Sequence, residues 1–196
     1  MDAQGERFTG VDWYGEDLAS SRFSSCVFVD CDLTEVASNG AQFDDCEFRG
    51  VRLNASTHDA SSFANCLFQR TSLFNSTLRG CRLVGSRFLQ CTLRPLTVEG
   101  GNWSYTQLRK ANLTGVNFSG VNLDEADLAE AVLTDCSFRD ASLVRVTLRS
   151  AVLEGTMLAG ADLSGVDLAS LTWRRTVVDA AQAVAIAEAQ GVIVTP

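Results

Sequence analysis

The chain has a single histidine, no Cys-x-x-Cys pair and no long apolar run in its 196 residues. Each scarcity removes a class of function. One imidazole far from any ligand cluster argues against a metal centre. A bilayer span needs about 18 consecutive apolar residues, and none is present. Met1-Asp2-Ala3-Gln4-Gly5-Glu6 has no basic segment followed by an apolar one, so a secretory leader is not expected and a cytoplasmic location is. There is no glycine-rich phosphate loop and no nucleophile elbow. Neither a cofactor nor an enzyme is expected.

What the chain does have is a period of five. Positions 8, 13, 18 and onward to 178 make 35 centres, and Leu, Phe, Trp or Val fills 33 of them. Only Ser38 and His58 depart. Helices repeat near 3.6 residues and strands near 2, so neither alone explains the pattern. Five residues suffice for one short side of a square coil, with a corner after it. Four sides make a coil of about twenty residues, stacking on the next at roughly 4.8 Å.

Other residue types keep the same phase. All seven cysteines, Cys26, Cys31, Cys46, Cys66, Cys81, Cys91 and Cys136, stand two residues before a centre. Ala, Val, Ser and Thr fill most of the remaining slots of that kind, which makes it a second, smaller inward position. An odd number of thiols in inward slots reads as buried structural cysteine rather than disulfides. Thirteen of fifteen glycines fall in the slot two residues after a centre, where a corner favours a residue tolerant of positive φ. Residues twenty apart share a side, so Phe8, Phe28, Phe48, Phe68 and Phe88 should form one ladder.

Runs such as Ala111-Asn112-Leu113-Thr114-Gly115 and Ala161-Asp162-Leu163-Ser164-Gly165 resemble the pentapeptide-repeat family. The resemblance implies an all-β fold: a right-handed quadrilateral parallel β-helix over 1–178, here of about nine coils and about 40 Å long. Such a filled rod offers no catalytic pocket. At Ser38 and His58 either the wall bulges or a short loop leaves the coil. An acid–base role for that pair is the alternative, and no third partner is implied for it.

Net charge is −8, unevenly spread. Residues 1–70 carry 12 acids and 5 bases, residues 71–120 carry 1 and 6, and residues 121–196 carry 11 and 5. Asp44, Asp45 and Glu47 lie eighty residues before Asp124, Glu125 and Asp127, on the same edge and about 19 Å away. Glu130, Asp135 and Asp140 continue around the rod. A solvated surface is one reading. A site for a basic partner is the other, and direct nucleic-acid binding is not expected without a basic stripe.

Leu93-Arg94-Pro95-Leu96-Thr97, the acid-rich repeats after residue 120 and the tail from Trp173 resemble the MfpA group of fluoroquinolone-resistance proteins, and more distantly the Qnr group. That resemblance implies a DNA-mimicking protein that binds DNA gyrase, with the nine acids as contact residues and an interruption of the rod near Pro95. The alternative is an interaction scaffold for an unrelated protein. After Val178, Asp179 suits a helix N-cap, Ala180 to Gln190 favours helix, Gly191 suits the stop, and Val192-Ile193-Val194 reads as a short strand. This tail, 179–196, either caps the solenoid or forms a two-fold interface. The residues involved would be Trp173, Val177, Val178, Val184, Ile186, Ala187, Val192 and Ile193.

Overall fold

Centre residues point into the rod and the residues beside them point out in the computed structural model, which describes residues 1–195. From Leu18 to Leu158 every centre is buried. The backbone forms parallel rungs with a register of twenty: Phe8 pairs Phe28, Phe28 pairs Phe48, and Ser38 pairs His58.

The coil has four sides. Strands Asp2–Gln4, Arg22–Ser24 and Gln42–Asp44 form the first. The second runs from Arg7–Thr9 through Val27–Val29, Glu47–Arg49 and Leu67–Gln69 to Arg87–Leu89. The third, centred on Leu33 and Leu53, is held by single bridges such as Asp32 to Arg52. The fourth stacks Ala37–Asn39, Thr57–Asp59, Ser76–Arg79 and Leu96–Glu99. The longest strand ladder therefore has five rungs, against an expectation of about nine coils. Beyond Glu99 the twenty-residue register continues as isolated bridges, ending with Met157 to Val177.

The stacking is side chain on like side chain. Along the second side, consecutive phenylalanine centroids lie 5.0, 4.9, 4.8 and 4.7 Å apart, with nearly parallel rings. Burying each such ring contributes about 1.5–3 kcal/mol. The smaller inward slot does more than fill space. Its donors reach the carbonyl of the centre residue 23 positions back. Thr71 Oγ1 bonds Phe48 O at 2.9 Å, Cys66 Sγ bonds Phe43 O at 2.8 Å, and Thr156 Oγ1 bonds Leu133 O at 2.9 Å. A buried carbonyl left without a partner would be costly, which is why Cys, Ser and Thr recur there. All seven cysteines are free thiols.

Two expectations fail. The wall does not bulge at Ser38 and His58, and no loop leaves it. Both are buried; Ser38 Oγ meets His58 Nδ1 at 2.7 Å and His58 Nε2 meets Ser56 Oγ at 3.0 Å. Their polar groups satisfy one another inside the rod. The tail 192–195 is irregular and not a strand.

Near Pro95 two sides of the ladder lose their bonds. Among the described residues, the N–H groups of Gln90, Leu93 and Val98 do not reach the carbonyls of Arg109, Asn112 and Asn117, as the repeat would have them do. Nor do Asn112 and Asn117 donate back to Cys91 and Leu96. The two other sides stay joined, through Leu83 N to Asn102 O at 2.8 Å and Phe88 N to Gln107 O at 2.9 Å.

Candidate partner-binding surface

Corners decide where the acids sit. Apart from Pro95, Ser170 and Ala180, the residue two after each centre takes positive φ, whether or not it is glycine. Asp45, Glu125, Glu130, Asp135 and Asp140 are all such corner residues, with φ between 55° and 60°. The ladder holds them there: Glu125 N bonds Val144 O and Asp135 N bonds Glu154 O, each at 2.9 Å. Asp44, Asp124, Glu47 and Asp127 flank centres on the first and second sides.

The nine acids thus divide by position. Asp44, Asp45, Glu47, Asp124, Glu125 and Asp127 line the edge between the first and second sides, four coils apart. Glu130, Asp135 and Asp140 stand at the remaining three corners of one coil and form a collar with Glu125, not a single face.

They also divide by partner, which the sequence did not reveal. Glu125 takes Arg145 Nη2 at 2.5 Å and Tyr105 Oη at 3.3 Å. The Arg145 guanidinium holds its carboxyl below the usual range. Partial burial pushes Glu130 up, but Arg109 and Lys110 outweigh it and leave its pKa lowered. Glu47 pairs with Arg49. Asp44 accepts from Ser62 Oγ at 2.7 Å, and Asp45 from Asn65 Nδ2 at 3.2 Å. Asp124 accepts from Ser142 Oγ and from Val144 N, and Asp127 from Ala129 N. Asp135 and Asp140 are exposed. Their carboxylates lie over Gly155 and Gly160 in the next coil, where a Cβ would otherwise sit. Asp30 over Gly50 repeats the arrangement. The spacing of an acid and a glycine twenty residues apart was readable in the sequence.

At the far end, α1 (Ala180–Ala189) closes the solenoid. Asp179 and Gln182 form a capping box. Gln182 Nε2 also reaches two carbonyls of the last coil, Leu158 O at 2.7 Å and Ala161 O at 2.8 Å. Asp179 accepts from Gly160 N at 3.0 Å. Gly191, at φ +83°, follows the helix. Trp173, Val178, Ile186 and Ala187 meet around an apolar groove of about 260 Å³. Val177, Val184, Val192 and Ile193 are exposed, Ile193 at 89%. The end is therefore capped within the chain and still presents apolar surface.

No three His, Cys, Asp or Glu side chains gather as a metal site among the described residues. No helix among them is long and apolar enough to cross a membrane.

The family model for pentapeptide repeats matches residues 98–129 and 131–169, in eight copies. No curated protein matches the chain. Solved structures do. A trypsin-treated variant of QnrB1, a plasmid-mediated fluoroquinolone resistance protein, superposes with a TM-score of 0.88 at 21% identity, covering 100% of this chain and 98% of that one. A second trypsin-treated variant of QnrB1 gives 0.77 at 17% identity with the same coverage. Full-length QnrB1 gives 0.72 at 17%, covering 98% and 100%. The chain thus carries segments similar to pentapeptide repeats at 98–129 and 131–169, and it shares the solenoid fold of the QnrB1 structures along its whole length.

Proposed function

We propose that this protein binds DNA gyrase, or another type II topoisomerase, as a mimic of duplex DNA, inhibiting the enzyme and protecting it from fluoroquinolones or related poisons. The observation that carries the reading is the end-to-end superposition on QnrB1, a fluoroquinolone resistance protein. Fold likeness at 21% identity supplies the shape, and charge supplies the rest of the argument. A narrow rod with carboxylates along one edge and around a collar offers a basic protein surface what a phosphate backbone would offer it.

His58, the one histidine, lies sealed within the rod, which supports a binding role over a catalytic one for that residue. The apolar groove at Trp173, Val178, Ile186 and Ala187 and the exposed Val184 favour a homodimer built end to end at α1, the two-fold arrangement being the commonest for soluble oligomers. Such a dimer would double the rod and bring both acidic collars near its middle. The protein would act in the cytoplasm, where its target works.

The test is a supercoiling assay with purified gyrase, with and without a quinolone. Inhibition of supercoiling together with reduced drug-stabilised cleavage supports the proposal. An unchanged enzyme at micromolar protein refutes it and favours a scaffold with another partner.

A further inference from the structure

The acids serve the reading above, but the opening in the middle of the rod does not, and its charge is opposite. Two backbone edges face each other there without bonding: Gln90 to Val98 below, Arg109 to Asn117 above. Each is fully laddered on its other side. Leu73 N reaches Thr92 O and Thr92 N reaches Thr71 O; Leu113 N reaches Val132 O and Val132 N reaches Ala111 O. The edges are therefore held in extended form, with unpaired donors and acceptors directed at the gap. Pro95 cannot donate and Gly100 and Gly101 both take positive φ, so the chain does not close the gap from within.

The opening has depth. Phe88, Cys91, Leu93, Arg109, Lys110 and Asn112 are among the residues lining a cavity of about 230 Å³. Cys91 and Ala111, in the small inward slot, are half-exposed, whereas Cys31, Val51 and Ala131 in the same slot are buried. The floor is apolar and the rim is basic. Arg109 and Lys110 line the cavity and share the single carboxylate of Glu130, while Arg87 and Arg94, next in sequence to the lining residues Phe88 and Leu93, form no ion pair among the described residues. The one acid between residues 71 and 120, Glu99, is taken by Arg79.

We infer that this opening is a docking site for an extended acidic segment of a partner protein, which adds its backbone to the exposed edges while alternate side chains meet the apolar floor and the basic rim. Pairing an incoming strand with a free edge supplies affinity through main-chain bonds, and the pockets beside it supply selectivity. Side chains of a strand alternate between faces, so the matching sequence alternates apolar and acidic residues. The charge of the site makes it distinct from the acidic surface and independent of gyrase.

The probe is a fluorescein-labelled hexapeptide of alternating valine and glutamate, followed by anisotropy with the full-length protein. Binding is expected, with protection of Cys91 from alkylation, since that thiol lies in the cavity. Arg94→Glu with Lys110→Glu should weaken binding at least about tenfold, and methylating the peptide's backbone nitrogens should abolish it. Circular dichroism and a thermal melt check the double variant; if it does not fold, Arg94→Ala should weaken binding severalfold. Four results would each overturn the inference: no binding at millimolar peptide, equal binding of the valine–lysine peptide, binding that leaves Cys91 labelling unchanged, or tighter binding of an oligothymidine at the same residues.

Discussion

A buried imidazole is the most demanding residue in this rod. His58 replaces the leucine or phenylalanine of its slot, and it is tolerated because Ser38 and Ser56 flank its two ring nitrogens. Burial holds its pKa down to about 4, with Asp59 opposing weakly. In the unfolded chain it titrates near 6.5. The unfolded state therefore binds the extra proton first, and stability that is whole above pH 6.5 falls as pH drops towards 4, by about 3 kcal/mol at most. Thermal melts between pH 7 and 4 should show this loss. A Ser38→Leu/His58→Leu variant, which restores the apolar ladder, should lose much less over the same interval. Asp32, held at about 2 by Arg52, gives way only at lower pH.

Corner glycines supply a second test at this scale. Gly120 has open space around the position of a Cβ, whereas at Gly160 the Asp140 carboxylate occupies it. Gly120→Ala should cost about 1 kcal/mol, as other left-handed residues do, and Gly160→Ala at least about twice that. Equal melting temperatures for the two would show that the carboxylate moves aside freely.

Among the elements, α1 carries the most weight, because the last coil has carbonyls that no further coil can take up. Gln182 takes two of them and joins the N-cap. Gln182→Ala should destabilise the C-terminal coil by about 1–3 kcal/mol and speed amide exchange there while leaving the phenylalanine stack protected. The groove at Ile186, with the exposed Val184, serves the proposed dimer instead. Val184→Asp with Ile186→Asp should give a monomer by light scattering; a dimer that persists would place the interface elsewhere.

Legibility in the sequence followed the same division. The period, the four sides, the cysteine slot and the helix with its Asp179 cap were readable because each rests on repetition or local propensity. The partners of Glu125 and Glu130 were not, since a long arginine reaches either neighbouring coil. Ser38 and His58 are legible as neighbours on adjacent rungs, but Ser56 and Ser61, which complete their hydrogen bonding and let the wall stay closed, are not. The opening at 90–117 was foreshadowed only by Pro95, and its extent depends on backbone pairing that no side chain announces.

For the whole molecule, shape and field must be separated. Asp124, Glu125, Asp127 and Glu130 replaced together by their amides remove four charges and release Arg145, Arg109 and Lys110 from their partners. On the gyrase proposal, inhibition should then require at least about tenfold more protein, and wild-type inhibition should weaken steeply with added salt. Circular dichroism should remain that of the rod. Unaltered inhibition would mean the collar is not the contact.

Because neighbours in space are always twenty residues apart in the chain, length is quantised. Removing one whole circuit would shorten the protein by a single rise and leave every later residue facing as before. Removing one pentapeptide would instead turn everything downstream through a quarter of a revolution, carrying the charged edge to a new azimuth while each leucine still found the interior. Lineages of such chains should therefore vary in steps of twenty where the direction of a surface matters, and in steps of five where it does not.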